Sequence, residues 1–302
     1  PGHFANKLAR TVLKQSGRPE PLFLASHLCL AHWPYLWRSS QQSNLIGPNI
    51  LSSYQAALHE TDKQIGEILS AIEKSARPTL LILLSDHGEA LGLEADAPHS
   101  RIKQTKALEP LHGHGTNVAS LSQYRVLLSF IGMNGYKIPE QQTIDQLASL
   151  ADIKPTIIGL IESKNRREKK QSEAHNKSIK SSIDLTSWID DRRSPIVSRS
   201  LLLETGFLTP ELATADPDAK EVLKSGIKHY EINKKGRLVL KRESAEKIIR
   251  TKSFSRITNN IMTNATRTSD GYRIRIIDID KNLTIKEWNQ ESLYPITESN
   301  QL

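Results

Sequence analysis

The side chains best equipped for chemistry fall in two short runs, Ser85-Asp86-His87-Gly88-Glu89 and Leu111-His112-Gly113-His114-Gly115-Thr116. An Asp and a His side by side at the end of a strand can offer an oxygen and a nitrogen to one divalent ion. Gly88 permits the tight turn, or the positive φ, that lets Asp86 and His87 reach the same point. The histidines of the second run are flanked by glycines and are exposed enough to touch a substrate or support a metal ligand. Another histidine, His32, closes the apolar run Pro21–Leu30, and His27 lies further back on it, where a structural role is expected. Residues 93–111 form a polar loop in which Lys103 and Lys106 could meet an anion, although loop lysines are ordinarily just solvated.

These groups need elements to position them. Thr79–Leu84 is almost wholly apolar, a pattern that suits a parallel strand buried on both faces. Pro78 fits its start, where a missing N–H costs least. In open α/β sheets chemistry collects beyond the carboxyl ends of the strands, which is where Asp86 and His87 fall. Pro21–Leu30 reads as a second buried strand, with Cys29 packed in it as a small apolar residue. Tyr54–Ala76 reads as a helix with Leu58, Thr61, Ile65, Leu69 and Ile72 on one stripe. Helix followed by strand makes one unit of a doubly wound sheet.

Further along, residues 164–182 carry high charge and almost no apolar content, as a solvated linker or insertion does. Pro195–Gly206 and Leu238–Leu240 read as strands. Ala265–Ile277 contains an Asp-Gly turn followed by period-two alternation, which predicts a strand partly facing water. The expected fold class is α/β, a doubly wound and mostly parallel sheet with a smaller C-terminal antiparallel α+β subdomain. The expected divisions are residues 1–163, a linker at 164–182, and the smaller part at 183–302.

Ser85-Asp86-His87-Gly88-Glu89 with Leu91-Gly92 resembles the metal-binding signature of the sulfatase-like branch of the alkaline phosphatase superfamily. Other segments follow that family's order. They are His32-Trp33-Pro34, Asp62-Lys63-Gln64-Ile65-Gly66, His114-Gly115-Thr116 before Arg125-Val126-Leu127, Asp152-Ile153-Lys154-Pro155-Thr156, and Arg199 to Glu204. Leu127 stands where the family has Pro, and Arg273 where it has Lys. The resemblance spans roughly residues 20–275 and corresponds to the C-terminal part of the family's catalytic domain.

The resemblance implies an alkaline phosphatase-like fold and metal-dependent cleavage of a sulfate or phosphate ester through a covalent intermediate. It implies Asp86 and His87 as metal ligands, His32 and His114 as catalytic contacts to the transferred group, and His112 and Lys103 as substrate contacts. An Asp-His pair leans toward zinc or manganese rather than calcium, which prefers oxygen alone. The family's nucleophile, a Ser, a Thr or a Cys-derived formylglycine, is not matched in this chain. Cys29 lacks the Pro and Arg that mark the modified cysteine. The expectation is therefore a polypeptide that turns over little by itself. Two alternatives accompany it: a phosphoethanolamine- or phosphoglycerol-type transferase of a bacterial envelope, and a catalytically dead anion-binding member.

Composition narrows the partners. Charged residues make up 25% and hydrophobic residues 37%, the balance of an ordinary soluble domain. The net charge of +8 fits a solvated basic surface, or attraction to an anionic ester substrate or anionic lipid. Nucleic acid is not expected, because zinc-finger spacing, RNP-like aromatics and basic heptads are all missing. A single cysteine excludes an intrachain disulfide. No apolar run approaches the roughly 20 residues of a membrane-spanning helix, and no signal peptide is visible. The first residue is Pro1, so the chain reads as a fragment or processed product. Envelope or periplasmic placement, with membrane association through an upstream region, is what the family resemblance implies.

Overall fold

The computed structural model describes residues 2–33, 35, 50–100, 112–138, 143–166, 182–190, 199–206, 218–249, 252–268 and 271–291. The elements are α1 (Gly2–Lys14), α2 (Ile50–Ser75), β1 (Thr79–Leu84), β2 (Ala90–Leu91), β3 (His99–Ser100), β4 (His112–Gly113), α3 (Leu121–Tyr124), β5 (Leu128–Met133) and α4 (Ile153–Arg166). They continue as α5 (Thr186–Asp190), β6 (Ser200–Glu204), α6 (Ala219–Ile227), β7 (Tyr230–Ile232), β8 (Leu238–Leu240), α7 (Arg242–Ile249), β9 (Phe254–Thr258), β10 (Ile261–Thr268), β11 (Gly271–Asp278) and β12 (Leu283–Gln290). The α/β class expected from the sequence is the one observed. The chain forms two compact units, one of residues 1–84 and 127–140, the other of residues 85–126 and 141–302.

In the first unit α1 packs on α2, and Arg77 ties the segment after α1 to the start of β1. Its guanidinium donates to the carbonyl oxygens of Gln15 at 2.7 Å and Glu20 at 2.6 Å. The helix expected from Tyr54 begins earlier, at Ile50. Its buried positions are Ala57, Gln64, Ala71, Ile72 and Ser75, so the predicted stripe is met at Ile72, while Leu58 is exposed and the neighbouring line Ala57, Gln64 and Ala71 is covered. Adjacent positions lie 100° apart on a helix, so spacing alone does not say which of two neighbouring lines is covered.

Two further expectations are corrected in this unit. Pro21–Leu30 forms no strand among the described residues, and Phe23 is 78% exposed. Cys29 is exposed as well, its Sγ 3.7 Å from His27 Nδ1. Apolar composition reports a tendency to be covered; ladder partners decide whether it becomes a strand. β1 forms where predicted, yet it pairs antiparallel with β5, Thr79 opposite Met133 and Leu84 opposite Leu128, and is only partly buried. An apolar run carries no information on the direction of its neighbour.

The second unit is built on a six-stranded sheet in the order β3-β12-β11-β10-β9-β6. Its pairings are antiparallel except that of β12 with β3. β10 and β11 pair antiparallel as the expected hairpin, with Thr268 opposite Gly271. Asn259 and Asn282, with φ of 54° and 47°, turn the chain between neighbouring strands, a conformation Asn tolerates better than most residues. β11 is buried more continuously than the predicted half-wet strand: Ile274 and Arg275, on opposite faces, are both covered. A central strand with two paired neighbours loses its wet face once other elements cover it. The fully buried core is Ala119, Ile257, Met262 and Ile277, with Tyr124, Leu147, Leu203 and Ile279 around it.

Within the polar stretch expected at 93–111, a 3-10 turn (Glu94–Asp96) and β3 form before the described residues stop at Ser100. Most of the charged segment 164–182 and Pro195–Ser198 also lie outside the described residues.

Candidate metal centre

The site is built within the second unit from two strand-edge loops that β2 and β4 hold together. Ala90 pairs with Gly113 and Leu91 with His112, so the Asp-His-Gly-Glu run and the Gly-flanked histidines meet at one short ladder. The buried Asp96 carboxylate clamps the far end of β2 by accepting from the backbone N–H groups of Leu91 and Leu93, each at 2.8 Å. The histidine loop is fixed by Gln123, whose Oε1 accepts from the N–H groups of Thr116 and Asn117, each at 2.9 Å.

Of the two expectations for Gly88, a tight turn or a positive φ, the second is not met. Instead its backbone N–H donates to the Gln123 carbonyl at 3.0 Å, and a Cβ there would collide with the carbonyl oxygen of Ser122. Glycine is required for close backbone approach. Gly92, at φ +78°, is covered by the His112 ring in the same way.

Three donors converge here. The ligand atoms of His87, Glu89 and His114 all lie within 4.8 Å of one another. His114 Nδ1 is 2.8 Å from Glu89 Oε2, and His87 Nδ1 is 3.9 Å from the same oxygen. The two imidazoles stack, with centroids 3.6 Å apart and planes at 22°. His87 Nδ1 is also 2.8 Å from the Gly88 carbonyl oxygen. The Glu89 side chain is 4% exposed, against 32% and 31% for His87 and His114. Asp86 is outermost, 67% exposed, with Oδ1 3.7 Å from His87 Nε2 and accepting from the His87 backbone N–H at 3.1 Å.

The hydrogen bond to Glu89 raises the pKa of His114 above the ordinary imidazole value. Partial burial opposes the rise, and the negative charges of Glu89 and then Asp86 add to it. His87, Glu89 and His114, partly sheltered and brought together from two loops, offer two nitrogens and a carboxylate, a donor set suited to a divalent metal ion that accepts nitrogen as well as oxygen.

Of the residues singled out in the sequence, Asp86, His87 and His114 are brought together. His112 lies on the β4 side of the ladder, its ring against Gly92 and its buried Nδ1 without a hydrogen-bond partner among the described residues. His32 belongs to the first unit, exposed, its Nδ1 2.6 Å from the Trp33 carbonyl oxygen. Lys103 lies outside the described residues. Glu89 was given no role by sequence reasoning. Its signal was its place two residues after His87, but only its pairing with a residue 25 positions away makes it part of the site.

Comparison with known proteins places the chain in a family and a fold. A family model described as Sulfatase matches residues 3–163. The phosphoethanolamine transferase EptA of Helicobacter pylori (strain ATCC 700392 / 26695) is 30% identical over 88 residues, which is 29% of this chain and 14% of that protein. Among solved structures, the yidJ protein of Bacteroides fragilis, described as a proposed sulfatase, superposes with a TM-score of 0.54 at 14% identity. That alignment covers 92% of this chain and 51% of the other, a likeness of fold. The chain thus spans a seventh of the curated relative it matches and about half of the solved one.

Proposed function

Because this chain belongs to the sulfatase family, a family of hydrolase-type, metal-dependent enzymes, we propose that it is the metal-binding part of an enzyme that cleaves a sulfate or phosphate ester. The observation that carries this reading is the convergence of His87, Glu89 and His114, with Asp86 beside His87. Asp86 and His87 would hold one divalent ion, zinc or manganese. Such an ion polarises the ester oxygens and lowers the pKa of the attacking group. His114, held by Glu89 at 2.8 Å, is assigned to the transferred group's side of the ion as a contact residue. His112 and Lys103 are assigned to contacts with the anionic ester. No nucleophile is assigned to a residue of this chain.

A second reading is a transferase of phosphoethanolamine type, favoured by the Helicobacter pylori relative and by an Asp-His rather than an Asp-Asn ligand pair. Under it the protein works in the cell envelope, on a lipid or glycan acceptor. Among the described residues no helix is long and apolar enough to cross a membrane.

The test is a zinc titration of the purified chain by calorimetry, beside turnover of an aryl sulfate and an aryl phosphate. The expected result is one zinc site, lost in His87→Ala, with little or no turnover. Absence of zinc and manganese binding would sink the reading. Full turnover by these 302 residues would sink the assignment of the nucleophile elsewhere.

A further inference from the structure

The cluster admits two ways of holding an ion. In one, the ion sits among the Nδ1 atoms and Glu89 is a ligand. In the other, Glu89 stands behind the histidines and the ion is taken by their outward nitrogens. We propose the second: Glu89 is a positioning residue that locks His114 as the Nδ1–H tautomer and so turns the Nε2 lone pair toward the metal. The inference deepens the proposed metal site and rests on it.

The argument is one of donors and acceptors. An ionised carboxylate can only accept, so the 2.8 Å contact between Glu89 Oε2 and His114 Nδ1 requires the proton on Nδ1. A backbone carbonyl also only accepts, so the 2.8 Å contact between the Gly88 oxygen and His87 Nδ1 requires the proton there too. Both neutral rings therefore carry their lone pair on Nε2. The Nε2 atom of His87 is the one beside Asp86, at 3.7 Å from Oδ1. The two residues expected to bind the ion thus turn Nε2 and Oδ1 toward each other, away from the hydrogen-bonded side of the ring.

The rings stack face to face, with centroids 3.6 Å apart and planes at 22°, so each limits the tilt of the other. Burial completes the contrast. Glu89 is 4% exposed and already spends Oε2 on His114, whereas Asp86 is 67% exposed and within reach of an ion arriving from solvent. Carboxylate–histidine–metal arrangements of this kind fix ring orientation and strengthen the nitrogen as a ligand. Moving an ion to the Nδ1 side would break the hydrogen bonds to both Glu89 and the Gly88 carbonyl.

The experiment is long-range proton–nitrogen correlation NMR on the full chain labelled at histidine nitrogens, metal-free, in mildly alkaline solution where the imidazole is neutral. His114, identified by its loss in His114→Gln, is expected as the Nδ1–H form. Glu89→Ala should convert it to a mixture or to the Nε2–H form. Glu89→Gln, whose side-chain carbonyl still accepts, should keep the wild-type form. Zinc should then bind Glu89→Gln roughly 10–100-fold more weakly, while X-ray absorption finds the same ligand set as in wild type.

An Nε2–H His114 in the wild type overturns the proposal. So does a tautomer unmoved by Glu89→Ala, or a zinc site in Glu89→Gln that has lost one oxygen ligand. If Glu89→Ala does not fold, the wild-type tautomer and the ligand set of Glu89→Gln still decide. A locked tautomer in a protein that binds no zinc would remove the metal reading while leaving the orienting contact in place, so the two failures are told apart.

Discussion

The Nδ1 atom of His114 lies 2.8 Å from Oε2 of Glu89, a contact between two loops 25 positions apart in the chain. The contact couples the protonation of the site to the folding of the unit that holds it.

That coupling has a sign. The His114 pKa is raised in the folded protein, while an unfolded imidazole titrates near about 6.5. Folding therefore favours the protonated ring. The stabilisation is fully present below about pH 6.5 and is lost as pH rises through the folded value. Urea midpoints of wild type and His114→Gln, compared from mildly acidic to mildly alkaline pH without metal, should converge on the alkaline side. A gap that widens there would contradict the contact. Zinc, which must displace the His114 proton if that ring ligates, should bind more tightly across the same window.

His87→Ala removes a ring whose Nδ1 meets the Gly88 carbonyl and Glu89 and whose Nε2 meets Asp86. Its zinc affinity should fall by more than the roughly 10–100-fold typical of an outer-shell change. Calorimetry on the two variants places His87→Ala below Glu89→Gln; the reverse order would reassign the ligand.

Glycine replacements separate close approach from ordinary flexibility. Gly88→Ala drives a Cβ into the backbone oxygen of Ser122, which cannot move aside as a side chain would. It should destabilise by more than about 2 kcal/mol and loosen the zinc site. Gly66, inside α2 with nothing within 4 Å of an added methyl group, should behave oppositely. Gly66→Ala should stabilise by about 0.5–1 kcal/mol in urea unfolding.

The buried pair of Arg199 and Asp152 is expected to be the costliest to break. Arg199 Nη1 lies 2.6 Å from Asp152 Oδ2, with side chains 3% and 0% exposed. The carboxylate also accepts from the backbone of Ser149 and Ile183. Arg199→Met leaves that carboxylate without its counter-charge and should cost about 3–5 kcal/mol. A loss under about 1 kcal/mol by chemical unfolding would mean that water reaches the pair.

Much of the architecture was legible in residue order. The apolar run at Thr79–Leu84 and the alternation after Asp270-Gly271 became strands. The periodic segment after Ile50 became a helix, and the family resemblance is shown over residues 3–163. Pro21–Leu30 misled because its composition matches a strand while its pairing depends on neighbours that composition does not name.

Local chemistry reached as far as adjacent residues can reach. Asp86 next to His87 at a strand end reads as a candidate ligand pair by residue type and position, before any fold is known. Glu89 is different. Its role depends on a side-chain hydrogen bond to a loop 25 residues on, set by the pairing of Leu91 with His112. Such a pairing follows from backbone ladders and packing of whole segments and leaves no periodic mark in either run, so tertiary structure alone decided which carboxylate stands behind the histidines.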